Sequence, residues 1–503
     1  MSSKRAYLGI DVGSSECKAI VHSLEDGTLG VGSSAYPTHH PTAGWAEQDP
    51  ESWYKTALEA AAQAVEQGGH NEIQGISVVG PAHNLALLDG DMRVIRPCIH
   101  WSDLRSDPQC RRLAKEHVDR IFEVTGQVIH PSWSLPQLLW VKDNEPENWR
   151  RIRFLLPTKD YVRYRLSGTL FTDSFDAIGT QLYDLGARRW SEEMCAILGL
   201  DARLLPTVRQ AWEPVGALAP EAAARMGTAA GAPVCVGTSD TAAEAFAIGC
   251  VAPGQGVVKL GTSACVNVVT DRPRPSRKTL TYLHVIDDRG LTVTATNSGS
   301  SSFRWFRESF LAPVATLSFD DLAGLALQAP AGCEGLVFHP YLNGERTPYW
   351  NSNLRGSFVG ISSRHTMAHF ARSIMEGIAF SLRDCLNAIR DLGVGVESLR
   401  IIGGGSRSRL WRQIVADVLH MDLLRPAQQD AALGAALVAA VGLEGRASLA
   451  AAGAQQSAME SIHPDPSARA AYERAYAFYQ SVVQGLLQPY EDEAEQAGRE
   501  DRQ

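Results

Sequence analysis

The sequence has no apolar run of membrane-spanning length and no cluster of basic residues. No stretch of its 503 residues approaches the ~18 apolar residues that a bilayer-crossing helix needs. The formal net charge of −9 is spread along the chain, which leaves no basic surface of the kind that attracts nucleic acid or an anionic membrane. An acid interrupts the N-terminal apolar run Tyr7–Asp11 before a signal-peptide core could form. We therefore expect a cytoplasmic protein without nucleic-acid or membrane partners.

Paired cysteines and the common nucleotide and hydrolase motifs are also missing. The nine cysteines are odd in number and scattered, and no C-x-x-C pair occurs, so they are expected to be reduced apolar residues rather than disulfide or zinc ligands. The chain contains no G-x-x-x-x-G-K-[ST] loop, no G-x-G-x-x-G turn, no H-E-x-x-H and no G-x-S-x-G elbow. These absences exclude P-loop, dinucleotide-binding, zincin and α/β-hydrolase chemistry.

Length and patterning predict two α/β domains. A chain of 503 residues exceeds what one hydrophobic core usually organises. Short apolar runs at 76–79, 234–236 and 399–402 predict strands, and they alternate with longer helical patterns. The clearest helix is predicted over 366–391, where apolar residues recur at helical spacing and Gly393 follows as a stop signal. Residues from 491 onward lack apolar periodicity and are predicted to form a disordered tail.

A weak internal repeat is the most informative feature. When Gly13–Val21 is laid under Gly261–Val269, the glycine, the second hydroxyl residue, the cysteine and the final valine coincide. Each copy predicts a hairpin whose Gly-hydroxyl-hydroxyl tip exposes N–H and hydroxyl groups, which bind phosphate oxygens. Two copies predict a duplicated lobe with hairpins that close on a polyphosphate from opposite sides. Two ordinary Gly-Ser hairpins are the alternative.

Two acids raise the interest of these segments. Asp11 ends a predicted strand, where a carboxylate could hold Mg²⁺ against the β- and γ-phosphates of a nucleotide. Asp240 ends another apolar strand and opens an alanine-rich helix, so its carboxylate is expected to project at a helix N-terminus. Taken alone, Asp240 is also typical of an N-cap.

A triple glycine, Gly403-Gly-Gly-Ser406, lies between a predicted strand and a helix. Residues without side chains let a base or a phosphate lie directly on the backbone, although they would equally permit close packing of strand and helix. The later small-residue run 431–436 is expected to pack a helix behind this loop.

Together these residues resemble the FGGY family of carbohydrate kinases, in particular its xylulokinases, over nearly the whole length. The resemblance rests on nine short motifs in family order: Gly9-Ile-Asp11-Val-Gly-Ser-Ser, Gly44-Trp-Ala-Glu-Gln-Asp-Pro50, Trp101-Ser-Asp103-Leu-Arg-Ser, Pro157-Thr-Lys-Asp160-Tyr, Thr172-Asp173, Gly237-Thr-Ser-Asp240, Leu260-Gly-Thr-Ser263, Gly344-Glu-Arg-Thr-Pro348 and Gly403-Gly-Gly-Ser406.

The resemblance implies two ribonuclease-H-like domains of the actin-like ATPase fold with a central cleft. It places a sugar-binding N-terminal domain at 1–248, an ATP-binding C-terminal domain at 249–490 and the disordered tail at 491–503. It implies ATP and Mg²⁺ as cofactors, a small sugar or polyol as substrate, and a homodimer as a family expectation.

The resemblance also implies the site residues. Asp240 is the expected catalytic base, and Asp11 with Asp240 is expected to position Mg²⁺. ATP contacts are expected at these positions: Ser14, Ser15, Lys18, Gly261, Thr262, Ser300, Gly403, Gly404 and Ser408. Sugar contacts are expected at these: Ala82, His83, Trp101, Asp103 and Asp240.

The pocket strand departs from the family pattern. Where xylulokinases typically carry Gln-Met-His-Gly, this chain has Pro81-Ala82-His83-Asn84, so only the histidine matches. A histidine on a strand is often a satisfied structural residue, and both roles stay open for His83.

The predicted function is ATP-dependent phosphorylation of D-xylulose to D-xylulose 5-phosphate. The alternatives are a kinase of another ketose or polyol, such as ribulose, erythritol or glycerol, and a non-catalytic nucleotide switch of the same fold. A cleft carboxylate at Asp240 and the sugar-side matches Trp101 and Asp103 favour the kinase, because a switch protein has no need of them.

Overall fold

The computed structural model describes residues 5–69, 72–285, 289–311, 317–445 and 459–500. The chain divides into two compact units. The first unit comprises Met1–Val251, Thr281–Gly290 and Gln428–Gln455, and the second comprises Ala252–Leu280, Leu291–Ala427 and Gln456–Gln503.

The strands are, in chain order, β1 Tyr7–Val12, β2 Glu16–Ser23, β3 Gly27–Ala35, β4 Glu47–Gln48, β5 Gly75–Gly80, β6 Leu85–Leu88, β7 Cys98–Ile99, β8 Phe154–Pro157, β9 Phe171–Thr172, β10 Tyr183–Asp184, β11 Arg189–Trp190, β12 Thr207–Val208, β13 Pro214–Ala217, β14 Pro233–Cys235, β15 Thr238–Ser239, β16 Gln255–Leu260, β17 Ala264–Thr270, β18 Leu280–Leu283, β19 Gly290–Val293, β20 Val337–His339, β21 Ser357–Val359, β22 Ser398–Ile402, β23 Leu423–Pro426 and β24 Met459–Ile462.

The α-helices are α1 Pro50–Gly68, α2 Asp107–Thr125, α3 Ser134–Asn144, α4 Pro146–Arg151, α5 Thr158–Ser167, α6 Ser174–Gly179, α7 Glu192–Leu198, α8 Pro220–Met226, α9 Asp240–Ala247, α10 Ser300–Phe306, α11 Phe319–Ala326, α12 Met367–Arg390, α13 Arg409–Leu419, α14 Ala431–Glu444 and α15 Arg469–Glu500.

The first unit is built on a mixed sheet in the order β3–β2–β1–β5–β14–β13, with β15 also paired to β5. β1 pairs antiparallel with β2 and parallel with β5, and β14 pairs parallel with β5 and antiparallel with β13. Every residue of β5 is buried, as expected for a central strand of a parallel sheet covered on both faces.

The second unit repeats this order. β16 pairs antiparallel with β17 and parallel with β22, β22 pairs parallel with β23, and β23 pairs antiparallel with β24, while β19 lies beside β17. Strand for strand, β17–β16–β22–β23–β24 reproduces β2–β1–β5–β14–β13. The repeat seen between two short segments of sequence therefore extends to a whole sheet.

The predicted strands and helix are confirmed. The runs at 76–79, 234–236 and 399–402 form β5, β14 and β22, and the long amphipathic pattern forms α12. Gly393 follows α12 in a left-handed conformation with φ 72°, which is the usual reason for a glycine at a helix end.

The helix α14 packs on the first unit, which differs from the expected place behind the Gly403 loop. A Cβ on Gly9 of β1 would lie 1.9 Å from the carbonyl oxygen of Ala432, and one on Gly434 would lie 2.1 Å from that of Ala243 in α9. The small residues of α14 thus allow backbone-to-backbone contact with β1 and α9. Lys18 pairs with Asp430, the N-cap of this helix.

In the second unit a buried carboxyl joins α12 to α15. Asp384 of α12 accepts hydrogen bonds from Tyr476 at 2.5 Å and Tyr349 at 2.8 Å, and from the amide of Gln480. The helix α15 runs to Glu500, so most of the segment expected to be a disordered tail is helical; residues 501–503 lie outside the described residues. The segment from residue 491 onward contains several Glu, Ala and Gln residues, which favour helix even though the segment has no apolar periodicity.

No helix in the described part of the chain is both long and apolar enough to cross a membrane. All nine cysteines are free thiols, as the sequence predicts.

Candidate active site

Two acids lie near the carboxyl ends of the two strands that flank β5 in the first unit. Asp11 of β1 and Thr238 of β15 both pair with Val79 of β5, from opposite sides of that strand. Two strand spacings therefore separate Asp11 from Thr238, about 10 Å, and Asp240 follows two residues later. Ligands of open α/β sheets bind at this carboxyl edge.

Asp240 is the first residue of α9, and Ser239 is the N-cap. The alternative interpretation of Asp240 as an N-cap is thereby replaced. Its Oδ1 accepts hydrogen bonds from the Thr241 N–H at 2.6 Å, the Ser239 hydroxyl at 3.0 Å and the Thr241 hydroxyl at 3.2 Å. Oδ2 makes no hydrogen bond to the described residues, and the side chain is partly exposed. The carboxylate is thus oriented through one oxygen and leaves the other to receive a proton.

The first predicted hairpin lies between β1 and β2. Its exposed tip is held through carbonyl groups: the Gly13 carbonyl accepts from the Tyr36 hydroxyl, and the Ser14 carbonyl accepts from the Gln48 amide at 2.8 Å. The Ser15 carbonyl accepts from the Tyr36 N–H at 3.0 Å. The carbonyl groups of the tip are thus engaged within the protein, while Ser14 and Ser15 are exposed.

Lys18, expected to contact ATP, is instead engaged within the protein. Its ammonium pairs with Asp430, and about a third of its side chain is exposed (36%). Lys18 therefore helps to hold α14 in place, and a contact of Lys18 with ATP stays a prediction.

His83 has protein partners at both ring nitrogens. Nδ1 lies 3.0 Å from the Ser132 carbonyl oxygen, which only accepts, so Nδ1 carries the proton. Nε2 lies 2.9 Å from the Tyr282 hydroxyl, and the ring stacks on Trp133 with centroids 4.2 Å apart. In the neutral ring Nε2 accepts from Tyr282. These contacts make His83 part of an aromatic wall that also includes Phe175, whose ring stacks on Tyr282 with centroids 3.9 Å apart.

The other expected sugar contacts differ in accessibility. Trp101 is partly exposed; its N–H donates to Asn84 Oδ1 at 2.7 Å, and its indole donates to Ser14 Oγ at 3.3 Å. Asn84 thus anchors the backbone of Trp101. Ala82 is partly exposed beside Gly179 of α6.

Asp103 is fully buried in a bidentate ion pair. The Arg105 guanidinium donates to its two oxygens at 2.9 and 2.8 Å, and the Ala46 N–H donates at 2.5 Å. This carboxylate orders a loop and has no exposed surface to offer a sugar hydroxyl. A direct contact of Asp103 with the sugar stays a prediction.

A cluster of five charged side chains lies beneath the strand that leads to Asp240. We call it the buried charge cluster; its members are Lys159, Asp160, Arg163, Asp173 and Asp176. The Lys159 ammonium lies 2.7 Å from Asp160, 3.2 Å from Asp173 and 3.1 Å from Asp176. Arg163 donates to Asp160 at 2.6 Å. All five side chains are at least 96% buried.

Two groups of this cluster have shifted pKa values, Asp176 and Lys159. Burial raises the pKa of Asp176 well above its ordinary value of 3.8, and the neighbouring carboxylates add to this against the attraction of Lys159. Burial alone would lower the pKa of Lys159, but three carboxylates together hold it above its ordinary value.

The second predicted hairpin lies between β16 and β17 in the second unit. The Gly261 carbonyl accepts from both the N–H and the hydroxyl of Ser300 at 2.8 Å, and the Thr262 carbonyl accepts from the Ser301 N–H at 3.1 Å. Thr262 is exposed at the tip. The two hairpins thus share one feature: their tip carbonyl groups accept hydrogen bonds from other segments, in the second hairpin from Ser300 and Ser301.

The triple glycine lies against this hairpin. A Cβ on Gly403, at φ 88°, would lie 2.6 Å from the Leu260 carbonyl oxygen, so this position needs glycine for close packing. Gly404 is exposed, and a Cβ there would meet nothing within 4 Å, so it leaves an open surface. Ser408 is the N-cap of α13, where its hydroxyl accepts from the Trp411 N–H at 3.3 Å. Close packing is thus confirmed at Gly403, and a nucleotide contact at Gly404 stays a prediction.

The aromatic wall and the buried charge cluster were not predicted from the sequence. Trp133, Phe175 and Tyr282 belong to segments with no motif, and nothing in the local sequence relates them to His83. The cluster had a signal: the charged pair Lys159-Asp160 and the single acid Asp173 lie beside apolar residues, and buried charges require partners.

The fold and the site define a class of protein. The two units share one strand order, each contains a Gly-hydroxyl hairpin, and two acids lie at the carboxyl edge of the first sheet. This is the architecture of an actin-like ATP-dependent phosphotransferase.

Comparison with known families gives the narrower assignment. Residues 6–247 match the N-terminal domain of the FGGY family of carbohydrate kinases, and residues 256–443 match its C-terminal domain. The chain belongs to the FGGY family of carbohydrate kinases. The predicted family, fold class and sugar kinase activity are thereby confirmed.

Individual relatives agree. The xylulose kinase of Bacillus subtilis (strain 168) is 35% identical over 440 residues, covering 86% of this chain and 88% of the relative. That of Escherichia coli (strain K12) is 32% identical over 486 residues, covering 96% and 99%. A crystal structure described as "a xyloylose kinase" from Brucella ovis superposes with a TM-score of 0.90 at 32% identity, covering 96% of this chain and 99% of that chain.

Proposed function

We propose that this sugar kinase transfers the γ-phosphoryl group of ATP to the 5-hydroxyl of D-xylulose, with Asp240 as the general base. The orientation of Asp240 carries the proposal: Oδ1 is held by three donors, and Oδ2 is left to accept a proton at the carboxyl edge of the sheet. The xylulose kinases among its relatives support the choice of sugar.

In the proposed reaction the sugar oxygen forms a bond to the γ-phosphorus while the bond from that phosphorus to the β–γ bridging oxygen breaks. ADP leaves with the electron pair of the broken bond, and the hydroxyl proton passes to Asp240 Oδ2. Because phosphoryl transfer has a loose transition state, the proton moves late, and one carboxylate suffices as base.

The second unit is proposed to bind ATP. Gly261 and Thr262 would supply phosphate donors at the hairpin tip, and the open surface at Gly404 would receive the adenine. The proposed contribution of Gly403, Ser300 and Ser408 is to stabilise the backbone around these contacts. Contacts of phosphate with Ser14 and Ser15 stay predictions.

Mg²⁺ is proposed to bind at Asp11 and Asp240. Within the described residues no group of three or more His, Cys, Asp or Glu could hold a metal ion. Two carboxylates with hard oxygen donors fit Mg²⁺, which is usually held by one or two carboxylates together with substrate phosphates and water. When bound, it neutralises charge on the β- and γ-phosphates. A cytoplasmic location and a homodimer stay predictions.

The test measures ADP release from ATP and Mg²⁺ with D-xylulose, ribulose, erythritol and glycerol. We expect D-xylulose to stimulate turnover, and Asp240→Asn to lower kcat about 10²- to 10⁴-fold while ATP binding persists. Asp49→Asn is the matched control, because Asp49 caps α1 and asparagine caps equally well.

Two results would contradict the proposal. Full activity in Asp240→Asn would remove the base assignment. ATP binding with no response to any sugar would favour the nucleotide-switch alternative.

A further inference from the structure

The strand that leads to Asp240, the first residue of α9, is interrupted just before that helix. β14 ends at Cys235 and β15 begins at Thr238. Between them Gly237 has φ 79°, and a Cβ on this residue would lie only 1.9 Å from the Val78 carbonyl oxygen. β15 then pairs with β5 through two residues only. The sheet by itself therefore gives little support to the backbone that leads into α9.

The buried charge cluster holds this interrupted segment at two points. Arg163 Nη1 donates to the Val236 carbonyl oxygen at 3.0 Å, one residue before Gly237. The Thr238 hydroxyl donates to Asp173 Oδ2 at 2.7 Å, one residue after it. Both bonds are buried, so water does not compete for them.

Asp173 is itself held in one orientation. Its carboxylate caps α6, accepting from the N–H groups of Phe175 at 3.2 Å and Asp176 at 3.3 Å, and Oδ1 faces Lys159 at 3.2 Å. A carboxylate bound by a helix N-terminus and a buried ammonium has little freedom to move. The hydroxyl of Thr238 is therefore attached to a rigid support.

We infer that Asp173 is a positioning residue for phosphoryl transfer: through its hydrogen bond to Thr238 it sets the segment that carries Asp240, two residues further on. The inference rests on the proposed role of Asp240 as base. A catalytic group must be held within a fraction of an ångström, and a misplacement of about 1 Å can cost about a hundredfold in rate.

The test removes one hydroxyl. Thr238→Val keeps the shape of the side chain and loses the bond to Asp173, whereas Thr238→Ser keeps the hydroxyl. Thr270→Val is the matched control, because Thr270 is a buried threonine of the second unit whose hydroxyl donates to the Arg272 carbonyl at the far end of β17. Steady-state kcat and KM are measured for each protein, alone and in an Asp240→Asn background.

We expect Thr238→Val to lower kcat about ten- to a hundredfold with KM for ATP within about twofold of the wild type. Thr238→Ser should restore kcat, and Thr270→Val should leave it unchanged. If Thr238 acts through the base, Thr238→Val should have no further effect on the residual rate of Asp240→Asn. A merely structural role would lower the rate in both backgrounds.

Circular dichroism and thermal unfolding establish that each variant is folded. If Thr238→Val does not fold, Asp173→Ser replaces it, since serine still caps α6 but is too short to hold Thr238. The inference is overturned if the variant used keeps kcat within about twofold of the wild type, or if its loss persists in Asp240→Asn. Full activity of Asp240→Asn alone is a separate result, which overturns the base assignment and this inference with it.

Discussion

Replacing Lys159 with methionine would remove the central cation of the buried charge cluster. Lys159 contacts three carboxylates at 2.7, 3.1 and 3.2 Å and is fully buried. Methionine keeps most of the volume and the stem but leaves one cation, Arg163, facing the acids. Breaking a buried ion pair by removing one partner costs about 3–5 kcal/mol, and we expect a loss of this size in the free energy of unfolding.

The pH dependence of that loss is the sharper result. Removing the Lys159 cation makes the cluster more negative, so the pKa of Asp176 rises further. A carboxyl whose pKa is raised in the folded state stabilises the fold at low pH, and this stabilisation is lost as the pH rises through the folded pKa. The destabilisation should therefore be smaller at about pH 5 than at about pH 8.

Urea unfolding followed by tryptophan fluorescence measures the effect. Eight of the eleven tryptophans belong to the first unit, so the signal mainly reports the unit that contains the cluster. Lys55→Met is the matched control: Lys55 is an exposed lysine of α1 whose ammonium lies 4.0 Å from Glu59. A pair of this kind contributes about 0.3–0.5 kcal/mol.

The double variant Lys159→Met/Asp173→Asn removes one charge of each sign and should recover part of the stability. The reasoning is refuted if Lys159→Met costs less than about 1 kcal/mol, or if its cost is the same at both pH values.

Two further predictions concern packing and pH. Gly9→Ala should lower the free energy of unfolding by at least about 2 kcal/mol, because its Cβ would lie 1.9 Å from the Ala432 carbonyl oxygen. Gly90→Ala is the control and should change little, because a Cβ there has no neighbour closer than 3.9 Å. Equal effects of the two substitutions in urea unfolding would contradict the packing argument. Burial raises the pKa of Asp384 from 3.8 to about 7 against its hydrogen bond from Tyr476. The contribution of Asp384 to the free energy of unfolding is therefore complete below pH 3.8 and is lost as pH rises toward about 7. Asp384→Asn should make the free energy of unfolding less dependent on pH in that window. An unchanged pH profile would exclude Asp384 as the source of this dependence.

The features that sequence reasoning predicted are those set by neighbouring residues. A glycine followed by two hydroxyl residues between apolar strands specifies a hairpin locally, and both hairpins formed. The period of α12 specifies a helix, and Gly393 its end. Asp240 was placed at a strand end and helix start because both patterns adjoin it in the chain.

The features that it did not predict depend on distant segments. Whether His83 faces substrate or protein is decided by Ser132, Trp133 and Tyr282, which come from two other regions of the chain. Asp103 matches a family motif, but its burial against Arg105 and Ala46 is visible only in the folded structure. Small residues in α14 predict close packing without saying against what, and the partner proved to be β1 rather than the Gly403 loop.

The sequence by itself determined the α/β class, the two Gly-hydroxyl hairpins and the family, because each depends on a short pattern of residues. Only the tertiary structure decided which polar groups are available to a ligand. Lys18, His83, Asp103 and Ser408 all have the chemistry of site residues, yet each is engaged by partners far away in the chain or by its own helix. The physical reason is that hydrogen-bonding capacity is finite, and the fold decides where it is used.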